Sequence, residues 1–452
     1  MLTLNSTIKS VTGSFQSASM LARFASTHHK VLVVGGGSAG ISVAHQIYNK
    51  FSKYRFANDQ GKDTSLKPGE IGIVDGAKYH YYQPGWTLTG AGLSSVAKTR
   101  RELASLVPAD KFKLHPEFVK SLSPRENKIV TQSGQEISYD YLVMAAGIYT
   151  DFGRIKGLTE ALDDPNTPVV TIYSEKYADA VYPWIEKTKS GNAIFTQPSG
   201  VLKCAGAPQK IMWMAEAYWR RHKVRSNIDV SFYTGMPTLL SVSAILMPFF
   251  CQNEQLHRNC KINYKDELVK FKGSERKAVF KNLNDGSSFE RPFDLFACRP
   301  PLCVLMSLSQ RVIWLINLVL LLLINLLHNR PSSPMFSLSV IAVGLPTSKT
   351  YAAITAQAPV MVHNLWSFVN GKNLTFIHTI VTLHARYSLA MVSLSWPNSC
   401  TNKNLKNLSV AFLVSLTKLY LVACFITLRR TSFLLFTGIS PSAMVSGMAA
   451  EV

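Results

Sequence analysis

Residues 31–40, VLVVGGGSAG, constrain this chain more than any other stretch. Four apolar residues run into Gly35, Gly37 and Gly40, the spacing G-x-G-x-x-G. Behind them Ile41-Ser-Val-Ala-His-Gln-Ile47 carries apolar residues at helical spacing. Strand, glycine turn and helix open a dinucleotide-binding βαβ unit. The first glycine permits the tight turn, the second lets backbone approach a pyrophosphate, and the third lets helix and strand pack closely. The anion then meets free N–H groups at the helix N-terminus. Glu70-Ile-Gly-Ile-Val-Asp75 reads as the second strand, ending in an acid suited to a ribose 2′-OH. Asp75 follows Gly40 by 35 residues instead of about 20. Phe51 to Pro68, a polar stretch, reads as the inserted loop. An acid at this place disfavours the 2′-phosphate of NADP.

The 452 residues have room for two or three domains. The net charge of +21 is unevenly laid down, and no acid precedes Asp59. Residues 1–28 are basic, Ser-rich and acid-free, the composition of a mitochondrial transit peptide. The basic residues are otherwise dispersed and form no stripe, so no nucleic-acid partner is expected. Seven cysteines are scattered with no Cys-x-x-Cys and no zinc-like spacing.

Further on, Tyr79-His-Tyr-Tyr-Gln-Pro-Gly-Trp86 is dense in aromatic residues and fits either a flavin or quinone site or core packing. Phe118–Leu122 and Lys128–Thr131 read as strands of a small meander, and Tyr139 to Gly147 as a buried strand ending in small residues. Gly191 to Pro198 starts a second α/β unit without a second glycine fingerprint. Cys204 follows Lys203 and precedes a predicted helix over Ile211–Trp219. A neighbouring cation and a helix N-terminus both favour a thiolate, although a buried structural cysteine fits the same pattern.

These pieces, with VLKCAGAPQKIMWMAEAYWR and LPTSKTYAAITAQAP, resemble the mitochondrial sulfide:quinone oxidoreductase family. The resemblance covers residues 30 to about 240, with islands at 254–295 and 345–372. It implies an α/β chain of two Rossmann-like dinucleotide-binding domains with bound FAD. It also implies hydrogen sulfide as reductant, ubiquinone as acceptor, a small thiol or sulfite as sulfur acceptor, and peripheral attachment to the mitochondrial inner membrane. Carried over, Cys204 is the first of two redox cysteines. Gly35, Gly37, Gly40, Asp75, Gln83, Val119 and Gly147 match FAD contacts, and Thr347, Ser348 and Lys349 match the loop near the flavin ring. The domains expected are a transit peptide at 1–28, the first half of the FAD-binding domain at 29–150, and the second Rossmann-like domain at 151–295. The FAD-binding domain then resumes at 345–372. An NADH:quinone dehydrogenase-type flavoprotein would need a glycine fingerprint near residues 190–200, which GNAIFTQPSG lacks. A non-catalytic FAD-binding membrane protein anchored by 312–327 is the reading from another class.

The chain leaves the family pattern after Leu295. Residues 295–450 contain eleven Lys and Arg but no acid, where roughly a dozen acids are expected. Val312–Leu327 and Leu408–Leu428 could be taken for membrane segments, but the first is short and Lys418 interrupts the second. Misread frames explain more. Ser339–Gly344 stands where the family has Gly-Asp-Cys-Ser, and permitted codons read two bases on give that sequence. Val381–Tyr387 stands where the family has Tyr-Thr-Ser-Cys-Pro-Leu, and yields it in the same way. Phe296–Pro301 likewise permits Leu-His-Val-Ala-Pro-Pro. The segments 296–344 and 373–452 are therefore expected to be divergent and poorly packed, leaving an irregular C-terminal region. The second redox cysteine is missing near His384 and Ala385, so this chain should be impaired in sulfide oxidation.

Overall fold

A computed structural model describes residues 27–53, 66–200, 203–204, 206–239, 258–304 and 350–370. The glycine-rich stretch lies at the centre of the first sheet. Strand β1 (Thr27–Val34) begins four residues before the apolar run, because Thr27, His28 and His29 pair with Ile137, Ser138 and Tyr139. Helix α1 (Ser38–Lys53) follows at once. The sheet is completed by β2 (Ile71–Val74), then β3 (Phe112–His115), β4 (Val119–Ser123), β5 (Lys128–Thr131) and β6 (Glu136–Met144). The spatial order is β3-β2-β1-β6-β5-β4. The first four are parallel, and β5 and β4 return antiparallel as the expected meander. All four residues of β2 are buried, as a strand covered on both faces requires.

Within the stretch expected as an insertion, 51–68, residues 51–53 belong to α1, Phe51 is buried there, and Leu66 is buried as well. One apolar side chain per helical turn outweighs the polarity of its neighbours.

The second sheet comprises β7 (Val169–Val170), β8 (Gly191–Gln197), β9 (Ile228–Thr234), β10 (Cys260–Tyr264) and, from much later in the chain, β11 (Leu295–Ala297). It is parallel throughout, in the order β7-β11-β8-β9-β10. Helix α2 (Gly206–Arg221) covers one face and buries Ile211, Met212, Ala215 and Trp219 there. It starts five residues before the predicted helix, since Gly206-Ala-Pro-Gln supplies a first turn in which proline is tolerated. An antiparallel sheet of Asp266–Lys272, Lys277–Asn282 and Ser288–Pro292 closes the other face through Phe271, Phe280 and Phe293.

Residues 296–304 correct the expectation of poor packing after Leu295. Phe296 and Ala297 are buried between β7 and β8, and Leu302–Val304 pair with Ile148–Thr150. A strand inserted between two parallel neighbours has its backbone satisfied on both sides whatever side chains it carries. Helix α3 (Tyr351–Val369) then packs on α1, bringing a distant segment back to the first sheet. The stretches 312–327, 339–344 and 381–387 lie outside the described residues, as do Thr347, Ser348 and Lys349. Among the described residues no helix is long and apolar enough to cross a membrane.

Candidate functional site

The glycines meet at the C-terminal ends of β1, β2 and β6. Gly35 has φ +105°, and its N–H donates to the Val74 carbonyl at 2.9 Å. A Cβ there would stand 2.4 Å from the Ala145 carbonyl oxygen. A Cβ on Gly40 would stand 1.8 Å from the Gly35 carbonyl oxygen, so helix and turn touch backbone to backbone. Gly37 differs: beyond its own chain neighbours nothing lies within 4 Å of where its Cβ would be. Gly147, at φ +74°, opens on the same kind of empty space. Nothing in the described fold demands a glycine at 37.

Asp75 has a second task besides the expected one. Its carboxylate accepts the Gly36 N–H at 2.6 Å and the Ala77 N–H at 2.8 Å. It therefore fixes the glycine turn and still has lone pairs to spare. Ser38, at the start of α1, is hydrogen-bonded through Oγ to His80 Nε2 at 3.0 Å. Burial pushes His80 down to about 4, so it stays neutral here. Val119 is half-buried at the start of β4, on the far edge of the sheet from β3. Gln83 is exposed in a single turn before Trp86, whose indole N–H donates to Thr99 Oγ1 at 3.1 Å. The aromatic run thus divides. Trp86 is core, while Tyr82 meets Tyr351 of α3 edge to face at 5.1 Å between centroids.

Cys204 stands at the second sheet, two residues before α2, and is half-buried. Its neighbour Lys203 is lowered to about 8, first by burial and then by the Arg299 charge. Cys260 and Cys298 are free and buried, and burial pushes their thiols up to about 11 and about 12. Cys204 is thus more accessible than either Cys260 or Cys298.

Sequence reasoning missed the polar groups around it. Arg299 is 1% exposed, and its three guanidinium nitrogens have no hydrogen-bond partner. Both amide atoms of Gln197 are also buried and unpartnered. No local pattern marks these residues, because the orphaned atoms result from strands that meet only in the fold.

A mixed sheet whose parallel part carries the glycine turn, and a second, parallel sheet with a half-buried thiol beyond it, fit a dinucleotide-dependent oxidoreductase of the two-Rossmann-domain class. No family model matches the chain. A mitochondrial sulfide:quinone oxidoreductase of Schizosaccharomyces pombe is 84% identical over 384 residues, covering 83% of this chain and 82% of the relative. The mouse protein of the same name is 32% identical over 344 residues, covering 75% of this chain and 70% of its own. The chain belongs to the sulfide:quinone oxidoreductase family. A solved structure, the sulfide:quinone oxidoreductase of Aquifex aeolicus, superposes with a TM-score of 0.58 over 76% of this chain and 78% of that one. At 19% identity this likeness speaks to the fold.

Proposed function

We propose that the chain is a mitochondrial flavoprotein of the kind that oxidises hydrogen sulfide at a cysteine pair including Cys204 and delivers the electrons to ubiquinone at the inner membrane, impaired as written because the second cysteine is missing. The observation carrying this reading is the position of Cys204, half-buried at the mouth of the second sheet while Cys260 and Cys298 are sealed away. FAD, when bound, supplies the two-electron acceptor that a thiol pair cannot provide by itself. The residues present fit it. The open backbone at Gly37 and the first turn of α1 suit a pyrophosphate, Asp75 a ribose hydroxyl, and the open backbone at Gly147 the approach of the cofactor. Val119, Gln83, Thr347 and Lys349 are proposed as further contacts on the strength of the family pattern.

Cys204 acts as one member of a redox pair whose other member the family supplies near positions 384–385. This chain has His384 and Ala385 there. Neither Cys260 nor Cys298 substitutes, because burial keeps both thiols protonated and out of reach. The sulfane sulfur formed at an intact cysteine pair needs a small acceptor, a thiol or sulfite, to leave. The test is to purify this chain and a frame-corrected version with FAD, add sulfide without oxygen, and record the flavin absorption. Bleaching in the corrected protein, lost in Cys204→Ser with FAD retained, supports the assignment. Bleaching that survives Cys204→Ser removes Cys204 from the reaction, and bleaching of this chain locates a second thiol elsewhere.

A further inference from the structure

The C-terminal end of α2 carries more positive charge than its fold uses. Arg220, Lys223, Arg225, Ser226, Arg258 and Asn259 line an open pocket of about 350 Å³ there, formed by the helix end and the segments leading into β9 and β10. A space of this size holds a small ligand. The pocket is distinct from the site around Cys204, which lies at the other end of this 16-residue helix, about 24 Å away by helical rise. Arg258 and the buried Glu216 form an ion pair at 2.7 Å and neutralise each other. Arg220, Lys223 and Arg225 remain, and no carboxylate lines the pocket.

Cations at a helix C-terminus commonly serve the helix itself, by meeting its last carbonyls and its negative end. Here the carbonyls of Tyr218, Trp219 and Arg220 already accept the main-chain N–H groups of His222, Val224 and Lys223 at 3.0, 3.0 and 3.1 Å. The helix end is equivalent to only about half a negative charge, so roughly two and a half positive charges are left over. Lys223 holds φ +60°, the left-handed position after a helix where glycine is favoured, and its exposed ammonium pairs with no acid among the described residues. Arg225 is spent on the walls: it donates to the carbonyls of Ile228, Arg258 and Asn259 at 2.6, 2.7 and 2.9 Å. Those bonds hold both segments in place before any ligand arrives, which lowers the ordering cost of binding.

The donors that face the pocket come from different segments. Arg220 uses Nε and Nη2 on Glu216, which leaves Nη1 on a half-exposed side chain. Lys223 adds its ammonium and exposed Asn259 its amide, and the Ser226 hydroxyl reaches Asn227 Oδ1 only at 3.4 Å. One planar carboxylate would fill a single guanidinium fork, whereas donors spread around an open space suit a tetrahedral oxyanion. A phosphate monoester carries about −1.5 to −2 at neutral pH and so matches the excess charge. We infer that this pocket binds a phosphate monoester group, held by Arg220 and Lys223 with Ser226 and Asn259 on the remaining oxygens. A soluble phosphate ester and a phosphatidate headgroup present the same group, and the site stands apart from the sulfide reading.

The experiment is calorimetric titration of the full-length chain with glycerol 3-phosphate at constant ionic strength and with excess FAD, which competes for the glycine turn. Acetate is the planar control, and vesicles of phosphatidylcholine with and without phosphatidate form the lipid arm. Lys223→Gln touches an exposed side chain outside the Glu216 cluster, so the fold is retained. It should weaken phosphate binding about tenfold or more, the worth of one hydrogen bond to a charged group. Lys223→Arg should keep binding, as should Lys281→Gln, which removes an exposed charge on the antiparallel sheet. Saturable binding of glycerol 3-phosphate with this pattern supports the site and a soluble source. Binding to phosphatidate vesicles alone, lost in Lys223→Gln, supports the site and assigns the phosphate to lipid. Binding that survives Lys223→Gln, or that Lys281→Gln weakens equally, overturns the pocket. Acetate binding as tightly as the phosphate ester overturns the choice of ligand, and no binding in either arm overturns the site. Flavin reduction by sulfide enters none of these outcomes, so the functional reading stands or falls separately.

Discussion

His29 of β1 and His115 of β3 face each other across β2, with their Nε2 atoms 2.8 Å apart. Nδ1 of His29 lies 3.1 Å from the Gly69 carbonyl, so that nitrogen carries the proton and donates. His29 Nε2 is then the acceptor, and His115 Nε2 donates to it. Both rings are buried, and the pair rests on Gly72, where a Cβ would stand 2.5 Å from His29.

This arrangement makes the first domain acid-sensitive. Burial lowers His29, and burial with the His29 charge brings His115 to about 4, while His80 also falls to about 4 through burial. Each is neutral in the folded state, whereas the unfolded chain binds protons near 6.5. The unfolded state therefore gains protons first as pH falls. Stability is fully present above about pH 6.5 and is lost towards pH 4, by about 1.4 kcal/mol per pH unit for each such histidine. Urea unfolding between pH 7 and pH 4 measures the slope. His115→Gln should flatten it, and an unchanged slope would assign the acid sensitivity to other groups.

Two glycines of one motif should fail in different ways. Gly40→Ala drives a methyl group into the Gly35 carbonyl and should prevent the β1–α1 turn from closing, giving insoluble or unfolded protein. Gly37→Ala meets open space and should leave the unfolding free energy within about 1 kcal/mol of the parent. Its loss should appear in FAD retention on gel filtration, with a methyl group standing where the proposed site would hold the pyrophosphate. A Gly37→Ala protein that keeps FAD as tightly as the parent would falsify the placement of the cofactor.

The first sheet was legible because an apolar run, three glycines and Asp75 each demand one local geometry. The length of β1 was not, since Thr27, His28 and His29 become strand only through pairing with residues over a hundred positions away. Cys204 could be singled out from its lysine and the helix after it. Gln197 and Arg299 could not, because β11 reaches β8 from almost a hundred residues further along the chain. The same long-range insertion hid the packing of 296–304, where the composition after Leu295 promised disorder. The second task of Asp75 shows that a recognised motif residue can also be structural, a use that spacing does not display.

Glu216 of α2 anchors the far end of the second domain. Its carboxylate has no exposed surface and is shared by Arg220 at 2.5 Å, Arg258 at 2.7 Å and Arg225 at 3.5 Å. Arg225 also donates to the carbonyls of Ile228, Arg258 and Asn259, tying helix α2 to the entry of β10. Glu216→Gln leaves these guanidinium groups without their common counter-charge. The expected cost is about 3–5 kcal/mol, the range for breaking a buried ion pair. Chemical denaturation of the parent and the variant measures it, and a change below about 1 kcal/mol would mean that the arginines are sufficiently hydrated without the carboxylate.

Thiol reactivity gives the last comparison, and it tests the site without needing FAD, sulfide or a corrected frame. Cys204 is half-buried beside Lys203 and just before a helix, whereas burial holds Cys260 and Cys298 protonated up to about 11 and about 12. Only the thiolate attacks an alkylating agent, so rate follows both ionisation and access. In the folded chain at pH 8, iodoacetamide should modify Cys204 at least about tenfold faster than Cys260 or Cys298, that factor being about one unit of effective thiol pKa. Peptide mass spectrometry after timed quenching resolves the three sites. In urea the rates should converge, because the unfolded chain removes the burial that separates them. Equal rates in the native protein would mean that the second sheet does not protect its cysteines, and the case for Cys204 as the exposed redox thiol would lose its structural basis.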